Sequence, residues 1–284
     1  MKFIATAKKV GTTTFWQFVK FFAPAITLLV LNHIASTKIE RIVTVSIGKR
    51  LYLLLFGWIG TFFHESAHAM ACLIFRHKIK EIKFFSFDPE VDTLGYVNHS
   101  YNPKSFYQEL GNFFIGIAPV ISGIFLIYIS MFIFLDINVA NSTHIFTDIT
   151  MIIEHSFSFD AIGKVITDFK DFFALIYSKR QLGIPFYIFL YITFSISSGM
   201  NLSGTDIKSA WVGGALLLIL MFIVNIATYI SFKDAAFIYT YLTPYMVTFC
   251  TVMMYVLLVN IALIMILFPI GVLAEIFKKK KRKE

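Results

Sequence analysis

The chain has 284 residues, 57% of them hydrophobic and 15% charged, with a mean hydropathy of +0.74. Soluble domains carry roughly 25% charged residues, so the composition excludes a soluble globular protein and points to a polytopic membrane protein. The formal charge of +8 does not indicate nucleic acid. Much of it lies in Lys278-Lys279-Lys280-Lys281-Arg282-Lys283, directly after an apolar stretch, as at a cytoplasmic membrane boundary facing anionic lipid.

Lys2, Lys8 and Lys9 precede an apolar stretch from about Phe15 to Ala35. That stretch is too long for a signal-peptide core and ends without a small-residue cleavage pattern, so it reads as a first span. A loop over 36–50, with Lys38, Arg41, Lys49 and Arg50, is expected next. Leu51–Phe75, LYLLLFGWIGTFFHESAHAMACLIF, is long enough for a second span, which needs about 20 residues. Further spans are predicted over about 112–135, 183–198, 210–230 and 245–270. Six spans place both basic termini on the cytoplasmic side. Loop 36–50 would then face outward, against the positive-inside bias, so either that segment lies in the interface or the count is off by one.

The second span contains His64-Glu65-Ser66-Ala67-His68. Charged groups near a bilayer centre cost of order 2.5–3.5 kcal/mol each on insertion scales. On a helix His64 and His68 share one face, a spacing that lets both bind one zinc ion. Glu65 is rotated about 100° from His64 yet stays within reach of a metal-bound water. Composition alone produces an H-E-x-x-H string roughly 0.005 times in such a chain. The pattern predicts a zinc hydrolase site inside a membrane; a pair of core histidines satisfied by neighbouring helices is the alternative.

After the motif, Lys78-Ile79-Lys80-Glu81-Ile82-Lys83-Phe84 alternates polar and apolar residues, the period of a half-buried strand. Asp88-Pro89 and Asp92-Thr93-Leu94-Gly95 supply turn chemistry, and Tyr96-Val97-Asn98-His99-Ser100 forms a returning strand. Such a hairpin either receives an extended peptide at its edge or is an ordinary cytoplasmic hairpin. The segment 136–182 reads as an amphipathic surface connector. Cys72 and Cys250 both fall in apolar spans, so no disulfide framework is expected, and neither has a zinc-knuckle partner.

A catalytic zinc usually has three protein ligands and an open position. Few carboxylates lie near the spans. Asp136, Asp234 and Glu275 sit at span ends and Glu154 lies in the connector. Asp206 differs, because it closes a polar, Gly-rich break, Ser197-Ser198-Gly199-Met200-Asn201-Leu202-Ser203-Gly204-Thr205-Asp206. Irregular backbone at membrane depth is tolerated where protein or water surrounds it. Asp206 is thus either the third ligand or a cap for the helix beginning at Ile207.

These features together resemble the site-2 protease family of intramembrane zinc metallopeptidases. The resemblance covers about 51–230. It rests on HESAH in a membrane helix, on Gly95-Tyr96-Val97, on Gly111-Asn112 with Pro119 and Gly123, and on Ser203-Gly204-Thr205-Asp206. It implies zinc held by His64, His68 and Asp206 with Glu65 catalytic, and Asn201 positioning substrate or the oxyanion. The usual Asn-Pro-x-x-Asp-Gly is replaced by Asn201-Leu202-Ser203-Gly204-Thr205-Asp206-Ile207, and no PDZ-type insertion is recognisable.

The expectation is therefore an all-α polytopic membrane protein, a single domain over 1–284 with about six transmembrane helices. A small membrane-associated hairpin follows the second helix, and a basic tail spans 278–284. Its function would be zinc-dependent cleavage of peptide bonds in or near transmembrane segments. The partners would be the bilayer and a membrane-protein or peptide substrate with a weak helix, reached through a polar cavity open to the cytoplasm. Asn112 and His99 join Asn201 as candidate substrate or oxyanion groups. Two rivals stand beside this reading: a non-proteolytic membrane zinc-binding protein or transporter, and a zinc protease with a Glu ligand on a later helix. The latter usually shows Glu-x-x-x-His or Glu-x-x-x-Asp, which no span after residue 76 contains.

Overall fold

The computed structural model describes residues 2–88, 93–137, 163, 167, 170–171, 174–235 and 237–281. It is mostly helical, with one two-stranded sheet. Helix α1 (Lys2–Ile47) runs straight through the predicted loop at 36–50 and stops only at Gly48. Gly48 has φ 89° and ψ 151°, a conformation essentially reserved for glycine. Of the charges expected in that loop, Lys38 and Arg41 lie on α1, while Lys49 and Arg50 follow Gly48 and open the next helix.

Helix α2 (Lys49–Tyr52), a π-helical turn (Leu53–Gly57) and α3 (Trp58–Ile74) follow with helical dihedrals at each junction. They make one continuous rod over 49–74, about 39 Å long at 1.5 Å per residue. At its end Arg76 takes φ 57°. The His77 N–H donates to the Cys72 carbonyl at 2.8 Å and the Arg76 N–H to Leu73 at 3.2 Å, a Schellman closure. The chain turns into β1 (Lys78–Lys83), which pairs antiparallel with β2 (Tyr96–Ser100). Ile79 stands opposite His99 and Lys83 opposite Tyr96, with Lys80 bulged out between Ile79 and Glu81. The two strands match the predicted hairpin.

Helix α4 (Phe106–Leu135) is capped by Ser105, whose Oγ accepts from the Gln108 N–H. A 3₁₀ turn (Lys179–Leu182) leads to α5 (Ile184–Gly199), α6 (Gly204–Phe232) and α7 (Phe237–Lys281). The predicted connector over 136–182, Glu154 included, falls largely outside the described residues.

Among the described residues four helices, α1, α4, α6 and α7, are long and apolar enough to cross a membrane. By itself α3 has 17 residues and α5 has 16, short of the roughly 20 a crossing needs, so helix length does not give six spans. The outward faces are apolar: Trp211 is 81% and Phe232 78% exposed, as lipid-facing side chains would be.

Elements α5 and α6 behave as one interrupted rod. Tyr191 of α5 hydrogen-bonds the Leu55 carbonyl near the start of the motif rod, and Gly199 at its other end abuts Gly60. Helix α6 then continues from Asp206 toward the start of α1, where Asn225 donates to Thr14 at 2.8 Å and to Gln17 at 2.7 Å.

Helices α1 and α7 run parallel. Phe21 stacks on Tyr239, Asn32 donates to the Met253 carbonyl, and Ile42 meets Gly271. Parallel helices put Lys2 and Lys281 at opposite ends of the pair. The core lies between these helices, α4 and α5, built on Leu28, Ile127, Met131, Phe189, Val252 and Met253. Asn260 donates to Asn32 Oδ1 and to Ser197 Oγ, the interhelical polar bonding that apolar surroundings favour.

Candidate metal centre

His64 and His68 point from one face of α3 toward the start of α6. Their Nε2 atoms lie 3.0 Å apart. Asp206 Oδ1 stands 3.2 Å from His68 Nε2, and Oδ2 stands 3.7 Å from His64 Nε2. The three side chains are largely enclosed, with 13%, 9% and 13% of the His64, His68 and Asp206 side chains exposed.

The other ring nitrogens explain why the Nε2 atoms face one another. His64 Nδ1 is 2.6 Å from the Gly199 carbonyl and His68 Nδ1 is 2.9 Å from the Ile115 carbonyl. A carbonyl only accepts, so each Nδ1 carries the hydrogen and each neutral ring keeps its Nε2 lone pair. Both carbonyls are available for a reason written in the sequence. Inside α4 the Ile115 carbonyl would accept from residue 119, but residue 119 is proline and has no N–H. Gly199 closes α5, where the last carbonyls have no helical donor.

Close backbone approach sets the remaining positions. A Cβ on Gly60 would overlap the Ser195 carbonyl, and one on Gly199 would overlap Gly60, so α3 and α5 touch one turn before His64. A Cβ on Gly116 would lie 2.5 Å from the Asp206 carbonyl, which brings α6 against α4. Ala67, Ala71 and Ala118 pack between α3 and α4, the small-residue contact typical of membrane helices.

Asp206 is the helix cap that the sequence offered, and its carboxylate also stands beside both imidazoles. Its N–H donates to Ser203 Oγ at 3.2 Å while its Oδ2 accepts the Ser203 N–H at 2.8 Å, a capping box. The carboxylate therefore caps α6 and faces both imidazoles. Glu65 is 7% exposed. A Cβ on Gly95 would lie 2.7 Å from Glu65 Cγ, so the residue that opens β2 sits against the acid.

The other candidates are more dispersed. Asn201 lies in the break between α5 and α6 and accepts from Ser36 Oγ through its Oδ1 at 3.0 Å. Asn112 is buried in α4, 4% exposed, one turn before the carbonyl that anchors His68. The structure sets His99 against His77, with their Nδ1 atoms 3.1 Å apart. Burial holds the His99 ring below the usual imidazole range, with His77 and then His68 adding repulsion. Sequence reasoning missed the two anchoring carbonyls. Pro119 was the available signal for one and the end of an apolar helix at Gly199 for the other.

Two imidazole nitrogens and one carboxylate make a donor set that fits zinc. Comparison of the chain with protein-family models, with curated proteins and with solved structures finds no match.

Proposed function

We propose that the protein is a zinc-dependent intramembrane endopeptidase of the site-2 type, hydrolysing peptide bonds in or near transmembrane segments at a site in the cell membrane. One observation carries the reading. Two imidazoles, each with its Nδ1–H committed to a carbonyl, turn their Nε2 atoms on one point beside a carboxylate. A shared proton or a metal cation reconciles nitrogens facing at that distance, and a second N–H donated to a backbone carbonyl is characteristic of metal-ligating histidines.

His64, His68 and Asp206 would hold the ion. Bound there, zinc supplies Lewis acidity and a water whose pKa falls toward about 7. Glu65, adjacent to His64 in sequence and enclosed beside Gly95, takes the water proton as general base and returns it to the leaving amine. Asn201 has its oxygen occupied by Ser36, so its amide N–H groups are the donors it offers to a developing negative charge. Both hairpin strands are edge strands. Because β2 begins immediately after Gly95, an extended segment added to its edge passes Glu65. Helical substrates hide their amides, so the substrate unwinds locally before it is cut.

In this reading the chain crosses the membrane five times, through α1, the rod over 49–74, α4, the interrupted α5–α6 pair, and α7. The parallel packing of α1 with α7 requires an odd number.

The test is cleavage of a single-pass membrane substrate by purified protein in detergent, with zinc measured in the same samples. Wild type should cut and carry zinc. Glu65→Gln should carry zinc without cutting, and His68→Ala should do neither. A zinc-free wild type that remains folded, or a Glu65→Gln protein as active as wild type, would sink the proposal.

A further inference from the structure

One helical turn beyond His68, on the same face of α3, lies Cys72, with no solvent exposure. Its Sγ and one ring nitrogen each from His77 and His99 all lie within 4.8 Å of one another. These three come from different elements: the end of α3, the turn before β1, and β2.

The arrangement is assembled from several sides. The Schellman closure at Arg76 folds His77 back toward Cys72. The His77 ring stacks on Tyr101, with centroids 4.9 Å apart and planes at 15°. Its Nε2 lies 2.8 Å from the Gln108 carbonyl, so Nε2 carries the hydrogen and Nδ1 the lone pair. That lone pair meets His99 Nδ1 at 3.1 Å. Two nitrogens on a tetrahedral zinc, each 2.0–2.1 Å from the metal, stand about 3.3 Å apart. A carbonyl behind the ring of His77 repeats the device that holds His64 and His68.

We propose that Cys72, His77 and His99 form a second metal site, for zinc, separate from the His64–His68–Asp206 centre. It stands whether or not that centre hydrolyses peptides. Thiolate and imidazole donors select zinc over magnesium, calcium or manganese. Binding converts the Cys72 thiol to thiolate and releases one proton, with no change of oxidation state. Three protein ligands leave the fourth tetrahedral position to water. The ion ties the base of the hairpin to α3 and so fixes the strand that follows Gly95, the residue beside Glu65. Without a metal, the same geometry is a plain hydrogen bond from His99 Nδ1–H to His77.

Cobalt(II) substitution of the full chain in detergent separates the two. A thiolate ligand gives a sulfur-to-cobalt charge-transfer band in the near ultraviolet, whereas the His64–His68–Asp206 centre has no sulfur. The band is expected in wild type and in the His64→Ala/His68→Ala double variant, and not in Cys72→Ser. Zinc content should fall from about two ions per chain to about one in the double variant and in Cys72→Ser alike. A folded wild type that gives no band, or a band that survives Cys72→Ser, overturns the proposal. Should Cys72→Ser fail to fold, His99→Ala, which leaves the buried thiol in place, must weaken the band. A band with no peptide hydrolysis would leave this site standing and remove the reading of the other.

Discussion

His68 donates through Nδ1 to the carbonyl of Ile115 at 2.9 Å, and that carbonyl is free because Pro119 has no N–H to offer it. One proline in α4 thus orients a histidine in α3. Pro119→Ala restores a competing donor and removes a residue that is about 3 kcal/mol unfavourable in a helix interior. The variant should be at least as stable as wild type in thermal unfolding in detergent. Its zinc affinity should nevertheless fall roughly 10-fold, the low end for loss of an outer partner of a metal-bound histidine. Unchanged zinc affinity by competitive chelator titration would show that the ring needs no such anchor.

Gly60→Ala improves intrinsic helix propensity by up to about 1 kcal/mol, yet its Cβ would meet the Ser195 carbonyl. Overpacking of this kind costs about 1–3 kcal/mol, so the variant should unfold at lower temperature and lose zinc through displacement of His64. Thermal unfolding followed with zinc analysis checks both. A variant more stable than wild type would contradict the close approach of α3 to α5.

Ser203 and Asp206 share the capping box, but only Asp206 faces the imidazoles. Ser203→Ala should cost about 1 kcal/mol of stability and weaken zinc binding modestly, by roughly 10-fold. Asp206→Asn keeps a capping side chain and loses the anionic ligand, so it should retain most of the stability and lose the zinc. Calorimetry and elemental analysis on the same preparations separate the two functions. Equal zinc loss from both variants would mean that Asp206 acts only through the cap.

The proposed five crossings would place the two ends of the α1–α7 pair on opposite sides of the membrane. Lys8→Cys and Glu275→Cys, introduced singly in membrane vesicles, should be modified by an impermeant maleimide from opposite faces, and both native cysteines are buried. Modification of the two from the same face would restore an even count.

The sequence marks local groupings better than the course of the helices. HESAH, the two strands and Asp206 are legible because spacing on a helix, alternation and a polar break are local signals. The course of α1 through 36–47 is not, since Lys38 and Arg41 mark a change of surroundings without ending a helix; Gly48 does that. Cap and candidate ligand are compatible for Asp206 in three dimensions, because one carboxylate oxygen accepts from Ser203 while the other stands beside His68. The grouping of Cys72 with His77 and His99 escapes spacing rules: it depends on a strand register and on a reversal at a non-glycine residue, Arg76, which no local pattern announces.

The interruption between Gly199 and Gly204 has an electrical consequence. Each half-helix carries a macrodipole equivalent to about half an elementary charge at either end. The negative end of α5 terminates at His64 and the positive end of α6 begins at Asp206. The first favours positive charge at the imidazoles and the second favours negative charge on the carboxylate. A continuous helix through this segment would carry the same residues and lose both fields, so the break itself makes the cluster a more favourable place for the proposed ion.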